Sequence, residues 1–217
     1  MTSRTMLSLG ALMILAAVGP AGCVSEAPGP LAMNDQELEA WEIRLVEFRI
    51  DKNEAFMDSA QTALRVEDLP GFEGLNYYFP EKGLRYRLPL EPVTGGRTVE
   101  LTKRKGNTVP YVLKGKVTFA HEGKNHTLSV LGPADPKDGD YLWLPFYDAT
   151  SGEETYGGGR YLDLELAADG TVEVDFNFAY NPLCDYNPEK YNCTLPPAEN
   201  RLPFAVRAGE KLFHAHE

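Results

Sequence analysis

The chain has 217 residues, of which 32 are acidic and 21 are basic, so its formal net charge at pH 7 is −11. Binding to nucleic acid or to anionic lipid headgroups requires clustered Lys and Arg side chains, and a chain this acidic excludes both as partners. The length is sufficient for one domain with a well-developed hydrophobic core.

The N-terminal segment predicts export. Arg4 precedes an apolar run from Met6 to Val18 that is too short to span a bilayer, so residues 1–22 are predicted to be a signal peptide. Ala21-Gly22-Cys23 resembles a bacterial lipobox, although Pro20 stands where that pattern prefers Leu. We expect an acyl chain at Cys23 that anchors the protein to a membrane of the bacterial cell envelope, facing the periplasm. The alternative is ordinary cleavage near Ala21, which leaves Cys23 free.

A tether and one helix are predicted next. Residues 23–33 are rich in Pro and small side chains, which is typical of a tether. Asn34 is a good N-cap and Glu37 occupies the capping-box position, so a helix is predicted to begin here and to end near Met57. Apolar residues then recur at spacings of three and four, which predicts one buried stripe. The stripe consists of Leu38, Trp41, Leu45 and Phe48.

The sequence from Pro70 onward predicts short β-strands. Runs rich in β-branched and aromatic residues alternate with turn signals, among them Glu122-Gly123 and Asp169-Gly170. The segment "RYLDLELAADGTVEVDF" predicts a hairpin with one apolar face and a second face that carries Asp163, Asp175 and Asn177. Residues 34–217 are therefore predicted to form a single β-rich domain. The fold class is mainly β, an antiparallel sandwich or small barrel with one N-terminal amphipathic helix and a long irregular C-terminal loop.

Polar side chains concentrate in three segments, around "FYDATSGEETYGGGRYLDL", in "DFNFAYNPLCDYNPEKYNC", and in "PPAENRL" together with "RAGEK", which contains Glu210 and Lys211. Such residues can brace an irregular loop by satisfying its backbone, or they can wall a ligand pocket over the strands. Arg160 can also pair with Asp148 or Glu154 to fix its own loop. The candidate ligand-binding residues are Asp148, Glu154, Tyr156, Arg160, Asp163, Asp175, Asn177, Tyr180, Asn181, Glu199 and Asn200.

Cys184 and Cys193 have three possible states. An exported protein favours a disulfide between them, but two free buried thiols or two metal ligands are alternatives. A zinc site prefers four ligands at recognisable spacings, and neither CxxC nor HExxH occurs, so no metal and no cofactor is predicted. His121 and His126 bracket a predicted turn and are expected to be neighbours, and His214 and His216 lie near the C-terminus.

Several long motifs resemble a known family. "GRYLD" and "NPLCDYNPEKYNCTLPPAEN", together with the earlier "FRIDKNEAF" and "GLNYYFPEKGLRYRL", look like the bacterial family called domain of unknown function 1684. The resemblance covers nearly all of residues 38–211. One departure is Thr194, since members of that family often have Pro directly after the second cysteine. The resemblance implies a single domain and implies no activity.

These patterns lead to three hypotheses about function. The first is a lipid-anchored envelope module that binds a small molecule or an envelope protein in a polar pocket beside the Cys184–Cys193 loop. The alternative is a hydrolase that uses Asp163 or Asp175 as acid or base, with Arg160 stabilising an anionic intermediate. The third is an envelope scaffold whose polar residues only brace loops. Two carboxylates facing a cavity with shifted pKa values favour the enzyme, and an aromatic, uncharged cavity favours binding.

Overall fold

A computed structural model of the protein describes residues 27–58, 60 and 62–214. The predicted signal peptide, the acylation site Cys23 and His216 lie outside the described residues. Helix α1 (Asp35–Met57) begins with the expected capping box, in which the Asn34 side chain accepts a hydrogen bond from the Glu37 backbone at 3.0 Å. Within the described residues, no helix has both the length and the apolar character needed to cross a membrane.

The predicted stripe of α1 faces the protein. Trp41 and Leu45 are buried, and the later Phe56 is buried as well. The opposite face carries Ile43 and Val46, which are about half exposed. The helix is thus held by one row of apolar side chains, as its spacing predicts.

Eight strands form two antiparallel sheets. The larger sheet has the order β2–β4–β5–β6–β7, with β3 also paired to β4, and the smaller sheet pairs β1 with β8. Among the described strands the sheets do not close into a barrel, so the predicted sandwich is the form that the protein adopts. The strands are β1 (Arg85–Pro89), β2 (Glu91–Pro92), β3 (Thr98–Thr102), β4 (Thr108–His121), β5 (Lys124–Pro133), β6 (Leu142–Phe146), β7 (Arg160–Leu164) and β8 (Thr171–Asp175).

The main core lies between the two sheets. Each strand that contributes to it points alternate side chains inward, because successive residues of a strand face opposite sides. Complete burial of one such side chain contributes about 1.5–3 kcal/mol to folding. Examples from six strands are Tyr86, Phe119, Val130, Leu144, Leu162 and Val174.

The other face of the larger sheet carries a second apolar cluster. Cross-strand pairs place Leu113 opposite Leu131, Leu131 opposite Trp143, and Trp143 opposite Asp163. Directly opposed residues project from the same face of a sheet. One row across four strands therefore runs from an apolar centre to a carboxylate on β7.

The hairpin between β7 and β8 turns a corner between the sheets. Gly170 has a positive φ of 80° at its tip, as the Asp-Gly signal predicts. Leu166 and Val172 form the one bridge recorded between its two arms, which otherwise belong to different sheets. The expected polar face is therefore wrong for two of its three residues. Asp163 is exposed, whereas Asp175 is only 4% exposed and Asn177 is fully buried in a turn of 3-10 helix (Phe176–Phe178).

The C-terminal half of the predicted tether is attached to the fold. The Ala120 backbone donates a hydrogen bond to the Pro28 carbonyl at 2.9 Å, and Leu31 donates one to the Arg85 carbonyl at 2.7 Å. Pro28 and Leu31, which belong to the predicted tether, are therefore hydrogen-bonded to the sandwich.

Candidate functional site

A disulfide joins Cys184 and Cys193, whose Cα atoms are 5.9 Å apart. The disulfide prediction is confirmed, and the alternatives of free thiols and metal ligands are wrong. Cys184 lies in the short helix α2 (Leu183–Tyr186). After Cys193 the chain crosses the outer face of the larger sheet, and we call residues 192–195 the strap.

Hydrogen bonds fix both sides of the strap. On the β3 side, the Arg104 backbone donates to the Cys193 carbonyl at 2.9 Å and the Leu195 backbone donates to the Thr102 carbonyl at 2.8 Å. On the β7 side, the Tyr161 hydroxyl donates to the Thr194 carbonyl. The irregular loop thus becomes a fixed wall above the sheet.

The strap closes one end of a groove with a volume of about 870 Å³. We call it the aromatic groove, because six of its lining side chains are rings. The Tyr111 and Trp143 rings stack with centroids 4.9 Å apart, and Trp143 meets Tyr161 edge to face at 4.8 Å. The six rings are Tyr111, Tyr141, Trp143, Tyr161, Tyr180 and Tyr191.

Charged groups line the same groove. Asp163 and Glu165 reach it from β7, and Lys52 and Lys103 also line it. The Tyr180 hydroxyl donates a hydrogen bond to Asp163 at 2.9 Å. Loss of solvent around Asp163 raises the pKa of its carboxyl, and the hydrogen bond from Tyr180 opposes that rise.

A second, smaller cavity of about 580 Å³ lies between α1 and the β7–β8 hairpin. It shares Asp163 and Tyr180 with the aromatic groove, and Asp175 lines it too. Asp175 is only 4% exposed and accepts a hydrogen bond from the Trp41 indole nitrogen at 2.7 Å. Burial raises the pKa of Asp175, while hydrogen bonds from Asn177 and Trp41 oppose that rise.

Arg160 does not lie on either cavity. It is completely buried, and its guanidinium donates to Asp148 at 2.8 Å and to backbone carbonyls that include Val206 at 2.7 Å. The expectation of a pocket around Arg160 is wrong, and its pairing with Asp148 is the interaction present. Gly159 allows the chain to pass close to β6 just before Arg160, because a Cβ at position 159 would lie 2.6 Å from the Phe146 carbonyl oxygen.

Three predicted asparagines brace backbone. Asn200 accepts from the Ser129 backbone at 2.7 Å and donates to the Pro145 carbonyl at 2.7 Å, so it joins β5 to β6 where few ladder bonds exist. Asn177 accepts from the Glu81 backbone at 2.7 Å. Asn181 also lines the aromatic groove, and its side chain donates to Asp185 at 2.8 Å.

The remaining candidates lie away from the aromatic groove. Glu154 pairs with Arg207 at 2.7 Å and accepts from the Tyr78 hydroxyl at 3.0 Å. Tyr156 is half-buried beside the glycine run, and Glu199 is exposed. The structure therefore brings together Asp163, Tyr180, Asn181 and Cys193 from the predicted set.

Sequence reasoning missed a buried polar cluster behind the groove, which we call the Glu210 cluster. Glu210 is 1% exposed, pairs with Lys52 and accepts hydrogen bonds from the Asn181 backbone at 2.8 Å and from the Tyr186 hydroxyl. The nearby Asp185 has its pKa raised to about 7 by burial. Lys52 and Glu210 are separated by 158 residues, and no local signal in the sequence connects them.

Sequence reasoning also missed most of the aromatic groove, although the sequence contains a signal for it. The segment "YLWLPFY" places Tyr141 and Trp143 on one face of a strand by simple alternation. The alternation therefore predicts two aromatic side chains on the same face of this segment. Once β6 is known to pair with β7, that face is the one that carries Asp163.

These features define a helix-covered antiparallel β-sandwich with an aromatic groove on its outer face. The chain belongs to the family described as "Protein of unknown function (DUF1684)", whose model matches residues 70–211. Among solved structures, an uncharacterized protein of Haloarcula marismortui, determined by solution NMR, is 32% identical with a TM-score of 0.63. That match covers 82% of this chain and 97% of the other. No curated protein matches the chain.

Proposed function

We propose that the protein is a lipid-anchored envelope module that binds a small ligand in the aromatic groove. The observation that carries the proposal is the groove itself, in which stacked rings form the floor and a few polar groups stand at the edge. Concave sites with aromatic walls and a small number of convergent polar groups are the usual form of ligand pockets. Its volume of about 870 Å³ suits a small molecule.

The geometry favours binding over the alternative hydrolase. That hydrolase needs Arg160 beside a carboxylate at a reacting centre, but Arg160 is completely buried against Asp148 and the C-terminal backbone. Asp163 and Asp175 both line the smaller cavity and burial raises the pKa of both, which is the pattern expected of an enzyme. Asp175, however, is already engaged by Trp41, Asn177 and Arg85. Asp163 remains at the aromatic groove together with Glu165, where carboxylates beside aromatic rings serve recognition.

The sequence and the disulfide support the envelope location. The predicted signal peptide ends in a lipobox-like pattern, in which Cys23 stands where such patterns carry the acylated cysteine. A disulfide between Cys184 and Cys193 suits an oxidising compartment outside the cytoplasm. Intact mass spectrometry of the protein purified from membranes tests the anchor, with a mass that includes acyl chains on Cys23 expected. A mature mass without acyl chains contradicts it.

The groove is tested with small probes of different chemistry and backbone NMR of the soluble domain. Choline, maltose and octanoate represent an organic cation, a neutral sugar and an aliphatic anion. We expect at least one to shift the amide resonances of the Tyr141 and Trp143 region. If none does so at millimolar concentration, the binding hypothesis fails and the scaffold hypothesis replaces it.

Two aromatic variants make the test specific. Tyr141 is 41% exposed at the groove, so Tyr141→Ala should weaken binding roughly fivefold or more without unfolding the protein. Phe79 is 93% exposed and does not line the groove, so Phe79→Ala is the matched control and should leave affinity unchanged. Equal effects of the two substitutions contradict a site at the groove.

A further inference from the structure

We infer that the ligand of the aromatic groove is an organic cation, an amine or quaternary ammonium with a small apolar body. This inference rests on the proposed function and adds the chemical class of the ligand. It is carried by two carboxylates without a cationic partner beside a set of aromatic rings.

The carboxylates are Asp163 and Glu165. Within the described part of the chain, neither has a Lys or Arg nitrogen within ion-pair distance, although six other carboxylates do. The hydrogen-bond donor that meets the Asp163 side chain is the neutral Tyr180 hydroxyl. A carboxylate that is partly removed from water gains most from a cation, which restores the favourable interactions lost with solvent.

The rings supply a second contact that favours positive charge. Aromatic faces attract cations through their quadrupole, and cages of Trp and Tyr are the usual receptors for ammonium groups. This groove already shows one such contact, because the Lys52 ammonium lies 4.8 Å from the centroid of the Tyr180 ring. Tyr141 and Trp143 remain on the side of Asp163 and Glu165 to contact a ligand cation in the same way.

The two lysines of the groove leave room for this cation. Lys52 pairs with Glu210, and although its charge also lowers the pKa of Asp163, its ammonium is not within ion-pair distance of that carboxylate. The backbone of Lys103 forms a β-bridge with Thr194, which puts Lys103 at the strap end of the groove. Tyr161 also contacts Thr194, so this residue marks the strap end of the groove. Same-face residues of a strand are about 6.6 Å apart, so Asp163 and then Glu165 lie progressively farther from the strap. Glu165 therefore stands near the open end, and Lys103 at the strap end can meet a hydroxyl or other oxygen of the same ligand.

The net charge of the chain agrees with this assignment. A protein of net charge −11 raises the local concentration of cations and repels anions. An anionic ligand would have to enter past Glu165 and Asp163. A neutral sugar could stack on the same rings, but it would leave both carboxylates without a charge partner.

The test compares choline with 3,3-dimethylbutan-1-ol, a neutral molecule of the same shape, in NMR or calorimetric titrations of the soluble domain. Choline should bind roughly five- to thirtyfold more tightly, as expected for a cation in contact with rings and carboxylates. The Asp163→Asn and Glu165→Gln variants should each weaken choline binding severalfold and leave the neutral analogue unaffected. Glu91→Gln removes an exposed carboxylate away from the groove and should change neither.

The outcomes separate this inference from the proposed function. Equal affinity for choline and its neutral analogue would overturn the inference that the ligand is a cation, while the proposal of a binding site at the groove would stand. Binding of maltose or octanoate at the groove without binding of choline also overturns the cation and retains the site. Failure of every probe overturns both. Asn at position 163 can still accept the Tyr180 hydrogen bond, and Glu165 is exposed, so loss of folding does not obscure the result.

Discussion

Asp148 and Arg160 form an ion pair that is removed from water on both sides, with side chains 1% and 0% exposed. The pair connects β7 to the C-terminal segment, because the guanidinium also donates to the Val206 and Glu210 carbonyls. Its role is to hold that segment over the core. Removal of one partner of a buried ion pair costs far more stability than removal of one partner of an exposed pair, since the remaining buried charge cannot reach solvent.

We therefore expect Asp148→Ala to lower the free energy of unfolding by about 3–5 kcal/mol, measured by urea denaturation. The control is Glu154→Ala, which breaks an exposed pair with Arg207 and should cost less than about 1 kcal/mol. Similar losses for both variants would show that the buried pair has no special role.

Asp185 provides a second test at this scale. Its pKa is raised to about 7 by burial, whereas a carboxyl in an unfolded chain titrates near 3.9. Between these values the folded protein retains a proton that the unfolded chain has lost. The contribution of Asp185 to stability is therefore complete at low pH and is lost as the pH rises toward 7.

The Asp185→Asn variant, which cannot titrate there, should gain stability relative to the native protein as the pH rises from about 4 to 7. The slope should be at most about 1.4 kcal/mol per pH unit, and the difference should stay constant above that range. Thermal or urea unfolding at a series of pH values measures it. Glu199→Gln, at an exposed position, should show no such trend. A pH-independent difference for Asp185→Asn would contradict the raised pKa.

The position of Arg160 was accessible to sequence reasoning in part. Its pairing with Asp148 follows from charge and proximity in the chain, and the structure contains it. Its orientation follows from strand parity, because Arg160 shares its side of β7 with Leu162 and Leu164. The alternation of side chains along β7 therefore places Arg160 on the opposite face of the sheet from Asp163. Contacts such as Lys52 with Glu210 could not be predicted, since they depend on how α1 packs on the far end of the chain.

At the scale of elements, the disulfide and the strap turn an irregular loop into a wall of the groove. The sequence predicted the bond from compartment and spacing, but the destination of the strap depended on the order of the strands. Thr102 and Tyr161 belong to β3 and β7, at opposite sides of the larger sheet. No local pattern reports that one segment contacts both.

Replacement of both Cys184 and Cys193 by Ser should lower the free energy of unfolding by about 2–3 kcal/mol, as expected for the short loop that the bond closes. Ligand affinity at the aromatic groove should fall too, because the strap loses one of its attachments. Urea unfolding and probe titration measure the two effects, and the native protein under reducing conditions should behave like the double variant. Unchanged affinity in both would show that the strap does not depend on the disulfide.

The β7–β8 hairpin shows a different limit of prediction. The Asp-Gly turn and the alternating pattern predict its two arms correctly. They do not predict that the arms separate into two sheets, because alternation reports one buried face and not which neighbour covers it. The consequence for the site is that Asn177 is buried in a turn and does not accompany Asp163.

For the whole molecule, many short strands with turn signals and one amphipathic helix were enough to predict an antiparallel β-sandwich or small barrel, and the strand order of the structure decides for the sandwich. The family match begins at residue 70, after α1, yet this helix supplies partners to buried carboxylates. Trp41 donates to Asp175, and Lys52 pairs with Glu210. The contacts of α1 with these carboxylates therefore contribute to the stability of the domain.

A fragment of residues 70–211 should therefore fail to unfold cooperatively, because each of the two carboxylates loses its partner on α1 and the core under α1 is uncovered. Circular dichroism during thermal unfolding and the dispersion of amide resonances measure this. The control is the fragment 28–214, which retains α1 and should unfold as one unit. A cooperative transition of the shorter fragment at the same temperature would contradict the prediction.

The attachment of Pro28 and Leu31 to the sandwich sets how far the domain can stand from a membrane. With an acyl chain at Cys23, only four residues would separate the lipidated residue from Pro28, and the five residue steps between them span at most about 18 Å. The domain would then rest close to the lipid surface with little freedom to search the space around it. Ligands and partners would have to come within that short radius of the leaflet.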